Sequence, residues 1–96
     1  MSLFHVMAVD KAGASNVRAE NRDQHLEWIK NHLDKVKLAG PMLTENGEGM
    51  IGSILIIEAE SKDELQSFLD EDPYARAHLF QSVVITPFKW VIGAPD

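Results

Sequence analysis

The run Ile54-Leu55-Ile56-Ile57-Glu58-Ala59 is the most apolar stretch of the chain and reads as a buried strand. Successive side chains of a strand point to opposite faces, so Ile54 and Ile56 look one way and Leu55 and Ile57 the other. Immediately upstream, Thr44 to Gly52 holds Asn46-Gly47 and Gly49, the chemistry of a turn between two strands. Before that turn, Val36 to Met42 is a short strand whose end carries Gly40-Pro41. Downstream, Ser61-Lys62-Asp63-Glu64 has the form of a capping box, and Leu65, Phe68 and Leu69 mark the short amphipathic helix that it opens.

The flanks complete the pattern. Leu3 to Val9 is apolar and rich in strand formers, and Asp10 to Ser15, with Gly13, reads as a loop. From Val17 to Leu33 the period turns helical, with Leu26, Ile29 and Leu33 as its expected inward stripe. Asp72-Pro73 is an N-cap followed by proline at the first helical position, opening a brief third helix through His78. Val83 to Val91 is the last strand, and Pro87 within it points to an edge position or a bulge. The order is β-α-β-β-α-β, an α+β ferredoxin-like arrangement. It predicts one domain over residues 1–96, with a four-stranded antiparallel sheet and its helices on one face.

With helices on one face, the other should be polar. Instead, Ile54 and Ile56 oppose Leu55 and Ile57, and Val83 and Ile85 oppose Val84, Phe88 and Trp90. A second subunit packed sheet to sheet is the simplest cover for such a face, so a homodimer is expected.

Composition narrows the function. The 96 residues are 45% hydrophobic and 25% charged, the mix of a globular domain rather than a disordered chain. A net charge of -6 argues against a nucleic-acid partner and against anionic membrane surfaces. Without cysteine there is no disulfide, thiolate nucleophile or Cys-based metal site. No run is long enough to span a membrane, and Met1-Ser2-Leu3-Phe4-His5 lacks the basic start of a signal peptide, so a soluble cytoplasmic protein is expected.

Arg22 falls within the expected stripe of the first helix and His25 on its edge. Polar groups on an inward face must be paired or line a cavity. Read singly, Arg22 snorkels past the helix end and His25 donates to a backbone carbonyl. Read together, they form a pocket with a cation beside a group poised for proton transfer near neutral pH. Asp72 is first of all a helix cap, yet a carboxylate near His25 would also fix the imidazole's tautomer. His5 faces either the helices or a dimer interface, His32 reads as a surface residue near a helix end, and His78 sits near the end of the third helix. No ligand-spacing motif supports a metal site from His5, His25 and Asp72, so no metal and no other cofactor is expected. Neither a dinucleotide loop nor a nucleophile elbow is present.

Several short motifs in order resemble the YciI-like (YCII-related) family. They are Arg22-x-x-His25, Ala39-Gly40-Pro41, Gly52, Asp72-Pro73-Tyr74, and Val84 to Val91 with Pro87-Phe88-Lys89. The resemblance implies a ferredoxin-like domain paired through its sheet, a dimeric α/β barrel. It also implies a His–Asp active-site pair at His25 and Asp72, with Arg22 adjacent. Two functions are then open. One is a cofactor-independent enzyme, a lyase or isomerase, moving a proton on a small anionic organic molecule held by Arg22. The other is a non-catalytic dimer that binds a small ligand in the same pocket.

Overall fold

In strand β1 (Ser2–Asp10), buried Phe4, Val6 and Ala8 alternate with half-buried His5 and Met7. That is the period of a strand with its two faces in different surroundings. The computed structural model describes residues 2–94. After β1 come α1 (Ser15–Lys30), β2 (Val36–Leu43), β3 (Met50–Ala59), α2 (Lys62–Leu69), α3 (Pro73–Arg76) and β4 (Phe80–Phe88). The strands form one antiparallel sheet in the order β2-β3-β1-β4, which is the ferredoxin-like fold.

Register fixes the two faces. Val6 stands opposite Leu55 and Ile85, and Phe4 opposite Ile57 and Pro87. These residues look toward the helices. There Trp28, Leu65, Phe68 and Leu69 close the core, with the Trp28 and Phe68 rings stacked 4.6 Å apart. On the other face His5 stands between Ile56 and Thr86, and Met7 between Ile54 and Val84. Leu38, Val84 and Phe88 are left exposed there. Pro87 lies on edge strand β4, where its missing N–H interrupts no ladder between two neighbours.

Three elements depart from the sequence reading by three residues or more at an end. Strand β3 starts at Met50 rather than Ile54, because Met50, Gly52 and Ser53 pair with Leu43, Met42 and Pro41 of β2. Strand β4 spans Phe80–Phe88 rather than Val83–Val91, its pairing with β1 ending at Leu3 and Phe88. Helix α1 ends at Lys30, so Leu33 falls in the following turn and is 61% exposed. Leu26, also expected inward, is 38% exposed; the residues that α1 buries are Arg18, His25 and Trp28.

Caps set the short helices. Ser61 Oγ accepts from the Glu64 N–H at 3.1 Å, the expected N-cap of α2. The reciprocal bond from the Glu64 side chain is not formed among the described residues. Helix α3 ends in a Schellman motif, with the Leu79 N–H on the Tyr74 carbonyl and the His78 N–H on the Ala75 carbonyl. The motif requires a left-handed residue, and His78 takes that place with φ 58°. At Gly52 the backbone of β1 comes so near that a Cβ would strike the Ala8 carbonyl oxygen and the Met42 methyl.

Candidate active site

Asp72 precedes Pro73, whose ring sets the helical φ of the first position of α3. Its Oδ1 accepts from the Tyr74 N–H at 3.0 Å, the cap bond. The same oxygen lies 2.8 Å from Nδ1 of His25 on α1, and both residues are buried. A carboxylate only accepts, so Nδ1–H donates, and the neutral ring carries its free lone pair on Nε2. The Tyr74 ring stacks on the imidazole, centroids 4.0 Å apart and planes 15° from parallel. A carboxylate at one edge and a phenol ring across its face therefore hold the imidazole.

Two helical turns toward the start of α1, on the same face, lies Arg18, seven residues before His25. Its Nε and Nη2 donate to Asp10 Oδ2 and Oδ1 at 2.7 and 2.9 Å, and Nη2 also donates to Ser53 Oγ at 2.9 Å. Its guanidinium sits 4.7 Å from the Tyr74 ring centroid. Burial pulls down the pKa of Arg18, but the Asp10 carboxylate outweighs it and the net shift is upward. Burial raises the pKa of Tyr74, with a smaller push from Asp72; Arg18 and Arg22 offset this only in part. The Tyr74 phenol is thus held in its neutral, hydrogen-donating form.

These groups line a cleft of about 130 Å³ between α1 and the sheet. Arg18, Arg22, His25 and Tyr74 form its polar side, and Leu26, Ile29, Leu55 and Pro41 its apolar side. Arg22 reaches it from an exposed position rather than from the buried stripe, and has no acidic partner among the described residues. The arrangement offers a basic nitrogen, an unpaired cation and a phenol around a small space.

The structure brings Arg22 and His25 to this cleft, and places Asp72 behind the imidazole rather than on the cleft's own lining. His5 lies across the sheet on the open face, so it joins neither His25 nor a metal cluster with it. Among the described residues no group of three potential ligands assembles. His32 is half-buried rather than on the surface, with Nδ1 2.8 Å from the Trp28 carbonyl and its ring edge against Phe68. His78 is exposed. Arg18, Asp10 and Ser53 escaped the sequence reading as site residues, and Tyr74 entered it only within the Asp72-Pro73-Tyr74 motif. The seven-residue step from His25 places Arg18 on the same helical face, and that was the available signal.

Fold and site together define a ferredoxin-like α+β domain with a buried histidine–carboxylate pair beside a small cleft. The model of the YCII-related domain matches residues 2–89, and the chain belongs to this family. It is 34% identical over 96 residues to the protein YciI of Escherichia coli O6:H1, covering 93% of this chain and 98% of that protein. An uncharacterized Haemophilus influenzae protein is 28% identical over 95 residues, covering 92% and 97%. Among solved structures, the 5-chloro-2-hydroxyhydroquinone dehydrochlorinase of Burkholderia phenoliruptrix AC1100, in complex with 2,5-dihydroxybenzoquinone, is 35% identical. It superposes with a TM-score of 0.83 over 91% of this chain and 93% of that one. A protein of Agrobacterium tumefaciens, 17% identical with a TM-score of 0.57 over 99% and 98%, shares the fold. In the described residues no helix is long and apolar enough to cross a membrane.

Proposed function

We propose that the cleft is the active site of a cofactor-independent enzyme that eliminates HX from a small anionic organic molecule by proton transfer. The observation that carries this is the 2.8 Å His25–Asp72 contact, which leaves Nε2 of a face-stacked imidazole free at the cleft. Asp72 holds the tautomer and stabilises the imidazolium that forms. Arg22 holds a substrate carboxylate or phenolate. The dehydrochlorinase at 35% identity supports elimination over isomerisation, and points to a hydroxylated ring bearing halide. On such a ring Nε2 takes a hydroxyl proton and delivers it to the carbon that carries the halide. The halide then leaves as a second hydroxyl gives up its proton. The sum is loss of HX, with the ring left as a quinone.

The test is chloride release and quinone absorbance when the purified protein meets 5-chloro-2-hydroxyhydroquinone without oxygen. Turnover should fall about 10²-fold or more in His25→Gln. Unchanged turnover in that variant would refute the role of His25. Binding without turnover would leave a ligand-binding protein.

The open sheet face, with Leu38, Val84 and Phe88 exposed, supports a homodimer paired through its sheets. Sedimentation equilibrium should give twice 10.7 kDa; a monomer at micromolar concentration contradicts the pairing.

A further inference from the structure

The His25–Asp72 pair divides two cavities. The second, about 190 Å³, shares only Leu55 with the cleft. His25 and Tyr74 line the first and Asp72 lines the second. Val6, Ala8, Leu69 and Val83 give the second an apolar floor. It stays open because α1 packs on α3 and α2 on β3, leaving the helix side of β4 thinly covered, with Val83 41% exposed.

Asp72 is 3% exposed, and its two oxygens are used unequally. Oδ1 takes both the His25 and the Tyr74 contact, while no donor among the described residues reaches Oδ2. Among the described residues Trp28 Nε1 is the one fully sealed side-chain polar atom without a partner, so Oδ2 is not wholly closed off and can gain a charge-assisted hydrogen bond from a donor that reaches it. The other charged groups at this cavity are Asp70 and Lys11, so the lining is negative by one with His78 neutral. An apolar floor with one convergent polar group is the usual form of a small-ligand site.

We infer that this second cavity is a binding site for a small molecule with a ring-sized apolar body and a protonated amine, the amine donating to Asp72 Oδ2. The site stands whether or not His25 is catalytic, because it uses the face of Asp72 turned away from the imidazole.

The test is an NMR titration of the full chain with 2-phenylethylamine, 2-phenylethanol and 3-phenylpropionate. The amine should move the amides of Ala75 and Val83 and bind at least tenfold more tightly than the carboxylate. Asp72→Asn keeps an acceptor for the Tyr74 N–H but puts an N–H₂ group in place of Oδ2, and should erase the preference for the amine. Val83→Trp fills the cavity from an exposed position and should abolish binding of both amine and alcohol; this variant carries the test if Asp72→Asn does not fold. Three results overturn the inference: tighter binding of the carboxylate, amine shifts centred on Ala39 and Leu26 of the cleft, or no saturable binding of the amine at millimolar concentration.

Discussion

Removing the Asp10 carboxylate should damage this protein more than any surface change of equal size. Arg18 and Asp10 meet through two hydrogen bonds of 2.7 and 2.9 Å, and their side chains are only 6% and 7% exposed. In Asp10→Ala the guanidinium keeps Ser53 Oγ and the Tyr74 ring but loses its counter-charge. Stripping one partner from a buried pair destabilises by about 3–5 kcal/mol. Against a total stability of roughly 5–15 kcal/mol, that is a large fraction. Replacing both partners behaves differently. With Asp10→Ala and Arg18→Met combined, no charge is left buried, and methionine fills much of the arginine stem's path. The double variant should therefore sit within about 1–2 kcal/mol of the parent, because well-packed apolar replacements of a buried pair are often near neutral. Urea titrations of all four proteins close the cycle, provided that their m-values agree. The reasoning fails if Asp10→Ala loses less than about 1 kcal/mol, the range of an exposed pair, or if the two single losses simply add.

Three further outcomes follow from single residues. Gly52→Ala should lose about 1–3 kcal/mol by denaturant titration, because its Cβ meets the Ala8 carbonyl oxygen and the strands must part. His78→Gly should raise stability by roughly 0.5–1 kcal/mol, since relief of the left-handed penalty exceeds the added freedom of the unfolded chain; no gain would place the Schellman motif in error. Tyr74 is raised in the folded state, so the stability it contributes is complete below the unfolded phenol's value, about 10, and is lost as pH climbs above it. Thermal melts between pH 9 and 11 should accordingly fall less steeply in Tyr74→Phe than in the parent, and equal slopes would contradict the raised value.

The sheet was legible in the chain because each strand announces itself locally. The Ile54 to Ala59 run, the Asn46-Gly47 turn and the Ser61 cap need no distant partner to be recognised. Strand ends were less legible: Phe88 is the end of β4 because of where Leu3 lies, a fact about another strand. The stripe of α1 was misread for a related reason. A helical wheel weighted by aliphatic residues expects the inward face to be the greasiest, yet α1 buries Arg18 and His25 and leaves Leu26 outside. Those polar residues are tolerable inside because Asp10 and Asp72 complete them, the latter from 47 residues away. Charge pairs closed by the fold have no periodic signature. The Arg22-x-x-His25 spacing and the Asp72-Pro73-Tyr74 segment could be found in the sequence, whereas the stacking of Tyr74 on His25 could not.

A single oxygen of Asp72 fastens both the start of α3 and the imidazole of His25. Any replacement at that position is therefore screened twice over evolutionary time, once for a folded helix and once for an oriented ring. Replacement there stays costly even where the imidazole contact is not needed, because the helix start still is. The rim of the cleft carries no such double duty. Ala39 and Pro41 of β2, Leu26 of α1 and Met50 of β3 line it from exposed positions. Substitutions there leave the helix cap and the imidazole contact untouched. Proteins that share the histidine and the aspartate are thus free to differ in what the cleft admits, with the buried pair fixed and the doorway variable.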